Sequence, residues 1–178
     1  MTQVLLISGS LRDDSVNTKV LKAFADSVAE SVTIVWADID LPLFNEDLEG
    51  EALPPAVATF IEKLQAADVI IVATPEYNRT MSGAMKNALD WGSRPHGENS
   101  WTGKTVLVTS ASPGSISGAL AQYDVVKCLH HMGAIVPAGQ EFMVNNAFAK
   151  FDEYGVLTDE TTRKHIYRAL EVLGVPTD

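Results

Sequence analysis

Three short polar stretches hold most of the residues in this chain that could do chemistry. The first is Ser8-Gly9-Ser10-Leu11-Arg12-Asp13-Asp14-Ser15-Val16-Asn17-Thr18. It follows an apolar run and leads into a helical pattern. That position suits an anion, because the first N–H groups of a helix point outward and carry partial positive charge. Ser10, Ser15, Asn17 and Thr18 add short donors, and Arg12 adds a planar fork that matches a phosphate. The plainer reading has Ser and Asn capping the helix and Arg12 solvated. The second stretch is Thr74-Pro75-Glu76-Tyr77-Asn78-Arg79-Thr80-Met81-Ser82-Gly83. Tyr77 offers an aromatic face or edge, and the N–H groups of Glu76, Tyr77 and Asn78 are placed to reach a heteroaromatic ring; otherwise the stretch is a turn with an exposed Tyr. The third, Ser110 to Gly118, is small and polar, so a flat ligand could approach its backbone closely. As a bland alternative it is a flexible surface loop.

Other chemistries find no pattern. G-x-x-x-x-G-K-[ST] is missing, which disfavours a nucleoside triphosphatase, and no G-x-G-x-x-G follows a strand. His96, His130, His131 and His165 make neither H-x-x-x-H nor H-E-x-x-H. On a helix His130 and His131 point about 100° apart, so they read as a solvated pair near a helix end, and no metal site is expected. Cys128 has no obvious activator and reads as core or neutral. G-x-S-x-G is absent. Asp90 reads as a local cap or pair, and no side chain is assigned a catalytic role.

Those three stretches need elements to position them. Val4–Ile7 and Val69–Val72 are continuous apolar runs, as expected of strands buried on both faces. Val32–Trp36, Val106–Val108 and Ala134–Pro137 complete five predicted strands. Helices are predicted from Val16 behind a Ser15 cap, from Pro54-Pro55, over 82–91, over about 117–132, and from Thr158 or Asp159. Strands alternating with such helices imply a parallel sheet. Five strands in 178 residues fit an α/β, flavodoxin-like three-layer sandwich in the order 2-1-3-4-5. Its ligand crevice would lie at the strand ends between strands 1 and 3, bordered by the loops after strands 1, 3 and 4. Two loops, 38–53 and 139–155, exceed routine connections. The reading is one domain over 1–178.

Composition agrees with a globular chain: 46% hydrophobic and 20% charged residues. One cysteine excludes an intrachain disulfide framework and points to a reduced, cytoplasmic setting. The formal net charge of −10 opposes nucleic acid and anionic membrane as partners, so any anion site must be local. No apolar run approaches the ~20 residues of a spanning helix.

Two of these stretches carry a family resemblance. Gly9-Ser10-Leu11-Arg12-x-x-Ser15-x-Asn17, and Thr74-Pro75-Glu76-Tyr77-Asn78 followed by Ser82-Gly83-Ala84-Met85-Lys86-Asn87-Ala88-Leu89-Asp90-Trp91 and Ser93-Arg94-Pro95, resemble the NADPH-dependent FMN reductases, which include quinone, azo-dye and chromate reductases. The resemblance implies an FMN-dependent oxidoreductase that takes electrons from NADPH or NADH and passes two of them by a ping-pong mechanism to a quinone or other small acceptor. Ser10, Arg12, Ser15, Asn17 and Thr18 would hold the FMN phosphate and ribityl chain. Pro75, Glu76, Tyr77 and Asn78 would border the isoalloxazine, with Ser112 and Gly114 near its other side. Where the family often has paired glycines, this chain has Ser117-Gly118-Ala119 behind Pro113. Arg79 and Arg94 would flank the pocket, either drawing in the phosphates of NADPH or as surface residues. A homodimer or homotetramer is implied, with Phe44 and Trp91 suited to an interface or equally to the core. The alternatives are a flavodoxin-like electron carrier, disfavoured by a phosphate loop that is not Thr-rich, and a non-catalytic flavin- or ligand-binding protein.

Overall fold

The computed structural model of the chain describes residues 1–139 and 141–178. Five strands form one parallel sheet: β1 (Gln3–Ser8), β2 (Thr33–Ala37), β3 (Val69–Ala73), β6 (Thr105–Ala111) and β7 (Phe142–Val144), in the order β2-β1-β3-β6-β7. Two further short strands, β4 (Glu76–Tyr77) and β5 (Thr80–Met81), make a separate antiparallel hairpin. Without that hairpin the order is the expected 2-1-3-4-5. The strands are apolar on both faces because both faces are covered. Leu5, Ile7, Ile70, Val72, Val106 and Val108 face one core, with helices α2 (Pro55–Ala66), α3 (Gly83–Gly92) and α4 (Ala119–His131). Val4, Leu6, Ile71 and Leu107 face the other, with α1 (Val16–Ala25) and α5 (Glu160–Val172).

The first core closes around two large side chains. Trp91 and Trp101 are fully buried. The indole N–H of Trp91 donates to the Pro42 carbonyl at 2.7 Å. Trp91 is therefore a core residue, with Phe44 packed edge-on at 5.0 Å between centroids. The 38–53 loop is held against this end of α3. Asn87 Oδ1 accepts from Phe44 N–H at 2.8 Å, and Arg94 pairs with Glu46 and, at 3.0 Å, with Glu49.

Two elements differ from the sequence-based expectation. The fifth strand is Phe142–Val144, not Ala134–Pro137. The earlier segment contributes only one bridge, Ile135 to Thr105. Pro137 has no N–H for a ladder and Gly139 turns at φ 73°, so pairing stops there and resumes at the other end of β6. Helix α4 begins at Ala119 rather than Ser117, because Ser117 and Gly118 are both left-handed, at φ 59° and 80°. Among the described residues, no helix is long and apolar enough to cross a membrane. No group of three or more His, Cys, Asp or Glu there could hold a metal ion.

Candidate functional site

All three polar stretches leave the same end of a parallel sheet, since they follow β1, β3 and β6. The order reverses direction at β1 and β3, which is where open α/β sheets form a ligand crevice. The first two loops are locked together there. Gly9 N–H donates to the Ala73 carbonyl at 2.7 Å. Ser82, the N-cap of α3, accepts from Met85 N–H at 3.1 Å and donates to the Gly9 carbonyl at 2.5 Å. A Cβ on Gly9 would stand 3.0 Å from Pro75 Cδ and 3.1 Å from the Ala73 carbonyl oxygen, so only glycine lets the loops approach this closely.

A groove of about 160 Å³ opens between the loops. Ser10, Arg12, Ser15 and Asn17 line it from the first, Pro75, Glu76 and Tyr77 from the second, and Ser112 from the third. Ser15 occupies the N-cap of α1, yet its side chain makes no capping hydrogen bond, so the first-turn N–H groups of α1 have no cap. Ser15 is buried and Arg12 exposed at the rim. Thr18, Asn78 and Gly114 do not line this groove: the Thr18 hydroxyl bonds Ser8 Oγ at 2.8 Å, and Gly114 N–H donates to Ser112 Oγ at 3.1 Å.

Two groove residues are held by the protein itself. Asn17 donates from Nδ2 to the Ala111 carbonyl at 3.1 Å and accepts from Ala111 N–H at 2.9 Å. It thus clasps the end of β6 as a strand would. Glu76 borders the groove, but its Oε2 is engaged outside it, accepting from the N–H groups of Leu120 and Ala121 at 3.1 and 3.4 Å. An acidic side chain from the hairpin therefore caps α4, whose own N-cap Gly118 has no side chain to do so. Thr80 reinforces the join through Asp124 Oδ2 at 2.7 Å. The Thr80 and Lys127 contacts, the latter first, hold the Asp124 carboxyl below its usual range.

The hairpin turns on Asn78 and Arg79, both left-handed at φ 51° and 68°. A two-residue turn of this kind requires positive φ at both positions. Asn accepts that readily, whereas a long side chain there costs roughly 1–2 kcal/mol. Phe148, on a short 3₁₀ turn (Ala147–Lys150), also lines the groove and is 58% exposed. Its place inside the 139–155 loop was the only sequence signal for it. Arg94 does not flank the groove. It lines a separate and larger cavity of about 760 Å³ with Phe44, Asp90, Cys128 and His131, between α3 and the last turn of α4. That cavity touches none of the three loops; the smaller groove does, and it gathers their polar groups.

A doubly wound parallel sheet, with a helix N-terminus and two further loops closing on its switch point, defines the flavodoxin-like class. The NADPH-dependent FMN reductase family model matches residues 2–149, and the chain belongs to that family. It is 40% identical over 172 residues to an NAD(P)H-dependent FMN reductase of Pseudomonas aeruginosa, covering 96% of this chain and 92% of the relative. A quinone reductase of Pseudomonas putida is 40% identical over 159 residues, covering 89% and 86%. Among solved structures, the flavoenzyme NAD(P)H:(acceptor) oxidoreductase FerB of Paracoccus denitrificans superposes with a TM-score of 0.88 at 35% identity, covering 97% of this chain and 95% of that one. The chain is accordingly an oxidoreductase that works with FMN and NAD(P)H.

Proposed function

We propose that the groove between the three loops holds FMN, and that the chain is an NAD(P)H-dependent quinone reductase in which reductant and acceptor use the same open face in turn. The observation that carries this is the uncapped N-terminus of α1, with Ser15 buried and Arg12 exposed, opening into a groove that all three loops line. Its donors fit a phosphate: free first-turn N–H groups, hydroxyls of Ser10 and Ser15, and a guanidinium. FMN bound here supplies hydride acceptance from the nicotinamide and electron delivery to the acceptor.

The protein's part is to bind, orient and shield. Pro75, packed closely against Gly9, lines the groove with the rings of Tyr77 and Phe148 and with Ser112 from the third loop. The N–H groups of residues 76–78 lie on a hairpin fixed to α4 by Glu76 and Thr80, so they can donate to a flat heteroaromatic ring without being reorganised. Asn17 serves the site by fixing β6, and Thr18 by fixing Ser8. No side chain in the groove needs to move a proton for this chemistry. A reduced, cytoplasmic setting and a homodimer or homotetramer belong to the same reading; light scattering measures the latter.

The test is an anaerobic absorbance titration of the FMN-loaded protein with NADPH and then NADH. Loss of the flavin band near ~450 nm at catalytic speed, restored by a quinone, is the expected result. Uptake of FMN without reduction by either nucleotide would replace the reductase reading with that of an electron carrier.

A further inference from the structure

Arg79 sits where the backbone favours glycine, and its contacts within the chain do not explain its presence. The residue is left-handed at φ 68° on the tip of the β4–β5 hairpin. Its guanidinium is 67% exposed and, among the described residues, pairs with Glu76 at 3.5 Å from Nη1 to Oε1. A long, exposed pair of that kind contributes little to stability. Glu76 is moreover already engaged through its other oxygen by the first turn of α4. The chain therefore tolerates a strained backbone to present a loosely held cation. Observed strain of this sort concentrates where a ligand is handled.

The surroundings indicate which ligand. Glu76 and Tyr77 line the groove, and Arg79 lies two residues beyond Tyr77 on the same hairpin. Arg79 itself does not line the groove, but the hairpin is anchored to α4 by Glu76 and by the Thr80–Asp124 hydrogen bond, and the Tyr77–Thr80 pairing fixes its tip next to groove-lining Tyr77. Arg12 is the cation that lines the groove itself, together with Ser15 at the uncapped end of α1. On a molecule of formal charge −10, an anionic reductant needs a positive contact of its own. An exposed, weakly paired guanidinium on the hairpin beside the groove meets that need, since it binds phosphate through paired N–H groups.

We infer that Arg79 is the residue that receives the diphosphate of the nicotinamide nucleotide while the flavin occupies the groove. The inference rests on the flavin-reductase reading above. Its test uses the oxidised, FMN-loaded protein titrated with NADP⁺, which binds without reacting, followed by calorimetry. Arg79→Gly should raise the apparent dissociation constant about tenfold, equivalent to about 1.4 kcal/mol, and Arg79→Lys should recover part of the loss. Affinity for FMN should stay at the wild-type value. The glycine should also raise the melting temperature by about 2–4 °C, as relief of backbone strain in a domain of this size would, which shows that weaker binding does not come from a damaged fold. Unchanged NADP⁺ affinity in the FMN-loaded glycine variant would overturn the inference and leave the reductase reading standing. A wild-type chain that takes up no FMN would overturn both.

Discussion

At the scale of single residues, the groove contains side chains of two kinds that look alike in the sequence. Arg12 and Ser15 point into space that a ligand can use, whereas Asn17 and Glu76 are spent on the protein. All four were legible as polar residues in the right loops. Their allegiance was not, because it depends on partners 94 and 44 residues away, the Ala111 backbone and the start of α4. The distinction gives opposite predictions. Arg12→Ala should weaken FMN binding by a factor of about 10–100, corresponding to roughly 1.5–3 kcal/mol for one charge-assisted contact, with no change in melting temperature, because the side chain is exposed. A fluorescence titration beside a melting curve separates the two effects. Asn17→Ala should do the reverse first: it leaves the Ala111 N–H and carbonyl unpaired in a buried place and should cost roughly 1–3 kcal/mol of stability in urea unfolding.

At the scale of elements, the helices that announce their ends by side chains were readable and those that end by backbone geometry were less so. Ser82 and Asp159 cap α3 and α5 where the sequence pattern put them. Helix α4 was read two residues early because Ser117 adopts a left-handed conformation that its type does not advertise. The last strand was misplaced because Ala134–Pro137 and Phe142–Val144 are both short apolar runs beside the long β6, and the first stops at a single bridge whereas the second pairs over three residues. Asp159 offers a quantitative check. Hydrogen bonds from the Thr162 side chain and backbone, then from Lys150, hold its carboxyl down at about 2. A carboxyl whose folded value lies below its unfolded one stabilises the fold above the unfolded value and loses that contribution as pH falls. The wild type should therefore lose stability between about pH 4 and pH 2, and Asp159→Ala, about 1 kcal/mol less stable at neutral pH, should show a flatter decline there. Gly92 tests packing in the same way. A Cβ would fall 2.4 Å from Trp101 Nε1 and 2.8 Å from Leu64 Cδ1, so Gly92→Ala should cost about 1–3 kcal/mol by thermal unfolding.

At the scale of the whole molecule, the fold and the charge pull against each other. The topology brings the polar groups of three loops to one end of the sheet, and 23 acidic against 13 basic residues give the molecule as a whole a negative field. How far the field reaches depends on salt. At 0.01 M ionic strength the screening length is about 30 Å, so nearly the whole net charge of −10 acts on an approaching anion; at 0.1 M it is about 10 Å, and only the groups at the mouth are felt. The nicotinamide nucleotide is an anion and a quinone is neutral. The second-order rate of flavin reduction by NADPH should therefore rise as ionic strength goes from 0.01 to 0.1 M, because repulsion at long range is removed before the local contacts of the groove are weakened. Reoxidation by a neutral quinone should stay constant over the same range. Stopped-flow absorbance at the flavin band measures both halves in one protein, and the second serves as the control for any general effect of salt on the fold. A reduction rate that falls with salt instead would mean that the arginines at the rim govern approach from a distance, and that the acidic surface is arranged to leave the mouth clear.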